Sequence, residues 1–272
     1  MNVSNSYKPE LFNMTRELRR LHTQVLLSWK QEAHTLTQFG LQDGMSILEA
    51  GSGPGFVTEQ LLLLLPSSTI TTVEIAPFMV QQASRYLADK GIERVRLLEA
   101  SATNTGLPAG SFDFVLARYL FQHLPDPVAA AREAWRVLKP GGKLVILDID
   151  QELSWITDPP LPAAIRELEK RGAERQSARS GNRYIGRRLW KILQAAGFEQ
   201  VQLEGIMIHS DATRLGAFMS LLMPDPVAAG PLIRAGLFTE EEVRQACTAW
   251  EHFFTSPHPY LLQLLFAACG TK

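Results

Sequence analysis

Residues 47–61 read ILEAGSGPGFVTEQL. An apolar run enters a loop, Gly51–Gly55, that holds three glycines and a proline, and a helix-like run leaves it. A backbone this bare at the end of a strand lets a nucleotide approach closely, so the stretch calls for a strand–loop–helix unit with a ligand at its turn. The alternation then continues along the chain. Strand one is 46–50 and a helix follows over 57–65. Strand two is 69–75, and Pro77 opens a helix that Gly91 closes. Strand three is 95–99, and strand four, 112–117, is almost continuously apolar, as a buried parallel strand should be. Asp126 caps a helix that starts at Pro127 and ends near Leu138, and the turn KPGG at 139–142 leads into strand five, 143–150. Such a pattern predicts a parallel sheet with helices on both faces and a ligand beyond the carboxyl ends of its strands.

The flanks are less regular. Residues 9–39 read as helical, with Leu11, Leu18, Leu21, Val25 and Leu26 at helical spacing. Beyond Asp150, residues 151–182 hold Pro159, Pro160, Pro162 and a short charged helix. A helix over 183–196 stops at Gly197, residues 198–209 read as strand six, and 258–270 read as a last strand. The helical stretch between those two strands is too long for a hairpin loop and is expected to be an inserted cap.

Of the 272 residues 46% are hydrophobic and 20% charged, and the net charge of −1 argues against a broad basic face for nucleic acid. The local cluster Arg183, Arg187, Arg188 and Lys191 reads as a solvated helix face. Cys247 and Cys269 have no zinc-ligand or disulfide-framework spacing, so no metal is expected and reduced thiols in a cytoplasmic protein fit best. The first residues lack the apolar core of a signal peptide, and the apolar run 61–65 is far too short to span a bilayer, so no membrane association is expected.

The loop departs from the dinucleotide pattern G-x-G-x-x-G. Gly51 and Gly53 fit, but the third position is Phe56 and Gly55 arrives one residue early. No lysine followed by Ser or Thr ends it, and no basic residue between Ile47 and Ser84 would neutralise a pyrophosphate. The surroundings are acidic instead, with Glu49, Glu59 and Glu74. Carboxylates suit a ligand with hydroxyls and positive charge, and S-adenosylmethionine carries a ribose diol, an ammonium and a sulfonium. Glu74, 19 residues beyond Gly55, is placed to accept both ribose hydroxyls.

The segments ILEAGSGPGFVT, VEIAPFM, GSFDFVLARYLFQHLPDP and VLKPGGKLVILD stand in the order and spacing of class I S-adenosylmethionine-dependent methyltransferases. Over about residues 45–150 the chain resembles that family, in particular its small-molecule group that includes the ubiquinone and menaquinone C-methyltransferases. YIGRRLWKILQAAGF at 184–198 resembles the late helix and strand of many such enzymes. The resemblance implies an α/β fold: a Rossmann-like, mostly parallel seven-stranded sheet with helices on both faces, an N-terminal helix and helical cap insertions. It implies a helical lid at 1–42, a cofactor-binding core at 43–150, a lid insertion at 151–182, completion of the sheet by 183–210 and 257–272, and a substrate cap at 211–256.

It further implies S-adenosylmethionine as cofactor. Glu49, Gly51, Ser52, Gly53 and Gly55 would line its methionine end, Glu74 its ribose, and Ile75 and Met79 its adenine. Ser101–Ala102 replace the Asp–Ala pair the family often sets against the adenine edge, so that contact loses a charge. Arg118 follows strand four beside the cofactor, and Arg20 or Gln24, on a helix resembling one that closes over the site, would meet the methionine carboxylate. His123 is the candidate base, with Asp148, Asp150 and Tyr119 behind it, and anchoring a loop is its competing role. Tyr119, Trp155, His209, Phe218, Met219 and Met223 are candidates for the acceptor pocket.

The implied reaction is in-line methyl transfer to a small, partly hydrophobic metabolite, with oxygen, nitrogen, carbon and sulfur all open as acceptor atoms. Two readings compete. One is a catalytically silent module that binds the same cofactor. The other is an NAD(P)-dependent reductase, opposed by the glycine spacing and the lack of a Tyr-x-x-x-Lys pair. A base-modifying nucleic-acid methyltransferase is disfavoured, because no Asn-Pro-Pro-Tyr or Asp-Pro-Pro-Tyr tetrad follows strand four.

Overall fold

The computed structural model describes residues 13–90, 92–211, 214–224, 229–236 and 238–272. The expected helical positions before Asn13, Leu11 among them, and the expected helix stop Gly91 lie outside these residues, as do parts of the expected cap.

Strands β1 (Ser46–Ala50), β2 (Thr69–Glu74), β3 (Val95–Glu99), β4 (Phe112–Arg118) and β5 (Leu138–Asp148) pair in parallel in the order β3-β2-β1-β4-β5. At the edge of β5 lies the antiparallel strand β8 (Tyr260–Thr271), with β7 (Glu199–His209) on its far side. Since β5 and β7 both oppose β8, it is the one strand here that runs against the rest.

Among the described residues the sheet has eight strands where seven were expected. The added one, β6 (Trp155–Asp158), falls inside the expected lid insertion and pairs with the first half of β8. β8 is 12 residues long, and β5 covers only its Phe266–Thr271 half. The segment Trp-Ile-Thr-Asp, bulky and β-branched and ended by Pro159, continues along the edge that β5 leaves open. A second difference is KPGG, which lies inside β5 at a register shift against β4 instead of forming a separate turn.

Side chains alternate along the central strands and separate two cores. Ile47, Phe114, Leu116, Val145 and Leu147 face one, with helices α1 (Met14–Gln38) and α2 (Phe56–Leu64). Leu48, Val115, Ala117, Leu144 and Ile146 face the other, with α4 (Pro127–Val137) and α6 (Leu189–Ala195). α3 (Pro77–Leu87) follows β2. Beyond β6, α5 (Ala163–Ser177) packs against α9 (Glu240–Thr255), and α7 (Leu215–Leu222) against α1.

The expected helix over 183–196 is shorter than predicted. A 3-10 turn at Gly186–Arg188 leads into α6, so Arg183 precedes the helix and is not on its solvated face. Arg187, Arg188 and Lys191 are exposed as expected. Among the described residues no helix is long and apolar enough to cross a membrane.

Candidate functional site

The carboxyl ends of β1, β2 and β4 open on a cavity of about 590 Å³, within the roughly 300–1,000 Å³ of small-molecule sites. The glycine loop forms one wall. Gly51, Gly53 and Gly55 have φ of 72°, 54° and 85°, the left-handed region that L side chains avoid. At Gly51 a Cβ would also stand 2.9 Å from Leu120 Cδ1. At Gly53 a Cβ would meet nothing within 4 Å, so there the bare backbone faces open space. Gly55 lies off the cavity wall, and a Cβ there would stand 3.2 Å from Ala83 Cβ. Its glycine lets α2 begin close against α3, which is a packing role.

Two acids brace this loop. Glu74 accepts the N–H of Gly53 at 3.0 Å on one oxygen and that of Ala76 at 2.9 Å on the other. Each oxygen keeps acceptor capacity for a further donor. Burial raises the Glu74 pKa, and the backbone N–H groups oppose that rise. Glu49 is buried beneath the loop and accepts the Thr58 hydroxyl at 2.6 Å. Burial pushes its pKa up to about 7, against the Thr58 hydrogen bond and the charge of Arg118. Ile75, Met79, Ser101 and Ala102 continue this wall. The Ser101 hydroxyl accepts the Thr103 N–H at 3.2 Å, so part of its acceptor capacity is used locally. A bare loop, the carboxylates Glu49 and Glu74 and an apolar Met79 fit an uncharged diol and a cationic amino acid better than a pyrophosphate.

Arg20 and Gln24 reach the cavity from α1. Arg20 is paired with Glu17 through two contacts of 2.8 Å. Arg118 lines the cavity too, but its guanidinium points to α1: Glu32 takes two of its hydrogen bonds, at 2.7 and 2.9 Å, and the Ser28 hydroxyl a third at 3.1 Å. Arg118 is 8% exposed and Glu32 not at all, so this is a buried bidentate pair that fastens α1 over the end of β4.

His123 ends a 3-10 turn, Phe121–His123, that also lines the cavity. Asp148 holds that turn by accepting the Gln122 backbone N–H and side-chain amide, both at 3.0 Å. Burial, reinforced by Arg183 and Arg20, lowers the His123 pKa to about 3, so the ring is neutral at physiological pH. Its Nδ1 lies 3.4 Å from Gln176 Nε2. The other candidate bases are similarly engaged. Asp150 takes two bonds of 2.6 Å from Arg187, and burial pushes Tyr119 up to about 12. Tyr119 has φ 51°, an unusual conformation for an aromatic residue, and it turns the chain across the cavity floor.

The acceptor-pocket candidates divide. Tyr119 and Trp155 line the cavity. Phe218 is buried behind Trp155, ring centroids 6.4 Å apart. Met219 is 46% exposed, and His209 ends β7 facing outward. Met223 is off the wall, with its carbonyl held by Arg16 at 2.5 Å. Of the expected cap, Leu221, Leu222 and Phe238 reach the cavity, while the 151–182 insertion supplies a longer wall that includes Ser154, Glu169, Arg175, Gln176 and Arg179. Arg183 joins them from the next segment. The sequence reading missed all of these polar groups. Glu169, Gly172, Gln176 and Arg179 recur at helical spacing, but such a stripe ordinarily marks a solvated face. Among the described residues no group of three or more His, Cys, Asp or Glu side chains is placed to hold a metal ion.

Residues 48–146 match a family model described as a methyltransferase domain. An uncharacterized methyltransferase of Bacillus subtilis, YdaC, is 27% identical over 66% of this chain and 83% of its own length. The ubiquinone/menaquinone C-methyltransferase UbiE of Hahella chejuensis is 30% identical over 45% of this chain and 49% of its own, so against that relative the chain spans about half the length. A solved structure of Haemonchus contortus phosphoethanolamine N-methyltransferase 2, in complex with S-adenosyl-L-methionine, shares the fold at TM-score 0.57 and 18% identity, covering 90% of this chain and 52% of that one. Residues 48–146 thus match a methyltransferase domain, and the fold around them is shared with solved S-adenosylmethionine-dependent methyltransferases.

Proposed function

We propose that the chain methylates a small, partly hydrophobic metabolite by in-line displacement. The observation that carries this reading is that the glycine loop, Glu49 and Glu74 line the same cavity as the apolar Leu21, Tyr119, Trp155, Leu222 and Phe238. When bound, S-adenosylmethionine supplies a methyl carbon already activated by its sulfonium. In this reading Glu74 accepts the two ribose hydroxyls, and Ile75 and Met79 cover the adenine. Glu49 and the loop receive the ammonium end, with Gln24 and Arg20 beside the carboxylate. Tyr119 and Trp155 flank the acceptor. The protein need only hold a nucleophile about 3–3.5 Å from the methyl carbon in line with the breaking bond, and exclude water. The neutral His123, joined to Gln176 and to the turn that Asp148 fixes, orients the wall instead of removing a proton.

The test is turnover. The purified chain, S-adenosylmethionine and a metabolite panel should yield S-adenosylhomocysteine together with a product heavier by one methyl group. Binding of NADH in preference to S-adenosylmethionine would overturn the reading. Tight donor binding with no turnover across the panel would favour the silent module.

A further inference from the structure

One stretch of the cavity wall is cationic. α5 presents Glu169, Gly172, Arg175 and Gln176 to it, Arg179 follows just past the end of the helix, and Arg183 arrives from the loop before α6. The Nη1 of Arg183 lies 3.5 Å from where a Cβ of Gly172 would stand, so the guanidinium sits against the one bare point of that helix face. Arg175 lies over the Phe238 ring, 4.7 Å from its centroid. Arg183 Nε and Arg175 Nη1 are buried and have no protein hydrogen-bond partner among the described residues.

Buried donors without partners are costly and uncommon, and they mark places where something else completes the bonding. Nearby charge does not complete it. Glu169 is the one acid among these residues, and Asp148 also acts on Arg183; burial raises both to about 7, so they offset only part of the charge of three guanidiniums. Burial likewise holds Arg183 below the usual arginine value. Arginine presents a planar fork of donors that matches the paired oxygens of carboxylate or phosphate.

We infer that Arg175, Arg179 and Arg183 form a subsite for an anionic oxygen group on the methyl acceptor, a carboxylate or a phosphate, carried by a molecule whose apolar part rests on Phe238 and Trp155. This rests on the methyltransferase reading and narrows its substrate class. The anion is assigned to the acceptor because the three arginines come from α5 and the segment that follows it, whereas Glu49, Glu74 and the glycine loop of the proposed donor side come from β1, β2 and the turn between β1 and α2. The subsite fixes one end of the acceptor and so determines which atom faces the methyl group.

Calorimetry on the full chain saturated with S-adenosylhomocysteine tests this, with phenyl phosphate, benzoate and benzyl alcohol as probes. At least one anion should bind tenfold or more tightly than the alcohol, and its binding should weaken with added salt. Which anion wins distinguishes phosphate from carboxylate. Arg183→Gln and Arg175→Gln should each weaken that anion at least tenfold, and Arg183→Lys, which keeps the charge and loses the fork, should weaken it less. Affinity for S-adenosylhomocysteine should stay within threefold, which also shows that the variants are folded. Equal binding of the alcohol, no binding of either anion at millimolar concentration, or a tenfold loss of S-adenosylhomocysteine affinity in Arg183→Gln would each overturn the inference. The last outcome would assign the arginines to the donor's own carboxylate. Anion binding that persists in a wild-type chain unable to bind S-adenosylhomocysteine would keep the subsite and retire the methyltransferase reading.

Discussion

At the residue scale, buried acids are held where their charge is useful only with a ligand. Glu49 has a folded pKa of about 7, above its ordinary value of 4.5. The folded chain therefore binds this proton more tightly than the unfolded chain. Stability from Glu49 is fully present below about 4.5 and is lost as pH rises towards about 7. Glu49→Gln, whose amide oxygen still accepts the Thr58 hydroxyl, should make the ligand-free protein more stable than wild type at pH 8 and equal to it at pH 4, by denaturant unfolding. In the wild type, affinity for S-adenosylmethionine should rise with pH through about 7 as the carboxylate forms, and the variant should lose that rise. A flat wild-type profile would remove Glu49 from the donor site. Glu74→Ala should weaken donor binding at least tenfold, since charge-assisted hydrogen bonds contribute about 1.5–3 kcal/mol each.

His123 gives a prediction of the opposite sign. Its folded pKa of about 3 lies below the ordinary 6.5. The single-turnover rate should therefore show no limb near pH 6.5 that disappears on substitution. His123→Asn should retain at least about a tenth of the wild-type rate, because positioning and not proton removal is what changes. A lost limb and a drop of a hundredfold or more would make His123 the base. The sequence pointed to this residue and its place at the cavity mouth. Its protonation state depends on burial and on Arg183, which is 60 positions away along the chain.

At the element scale, α1 is attached to the domain by Arg118–Glu32. Breaking a buried pair by removing one partner costs about 3–5 kcal/mol, because the remaining charge is stranded. Glu32→Leu should lower the melting temperature by roughly 6–20 °C for a chain of this size. It should also expose α1 to limited proteolysis first. The double variant Glu32→Leu/Arg118→Met should recover most of that loss. If it melts no higher than Glu32→Leu, the pair does not anchor α1. The glycine loop, the five parallel strands and the helix starts at Pro77 and Pro127 were legible because their signals are local. β6 was not, since four residues form a strand only where β8 offers an open edge.

At the scale of the whole molecule, one part of the cavity wall is built by the ends of β1, β2 and β4, and another by the segment between β5 and α6. A ligand that binds only the folded chain stabilises it by about 2.7 kcal/mol at a hundred times its dissociation constant, so S-adenosylmethionine should raise the melting temperature by several degrees. NADH at the same concentration should leave it unchanged, and a shift with NADH alone would overturn the proposed function. Replacing 151–182 should change the acceptor preference more than replacing 211–256, with donor affinity kept in both.

By itself the sequence determined the alternation of the five parallel strands with their helices, the bare loop and the acid 19 residues beyond it, because these follow from neighbours along the chain and from periodicity. The tertiary structure alone decided which polar residues face inward. Arg183 and Arg187 stand four positions apart in one basic run, yet one lines the cavity while the other pairs with Asp150 at the surface. The stripe Glu169–Gly172–Gln176–Arg179 has the pattern of a solvated face, and it turns inward because the helix packs across an open cavity instead of against solvent. Periodicity groups side chains onto a face, and only packing decides what that face meets.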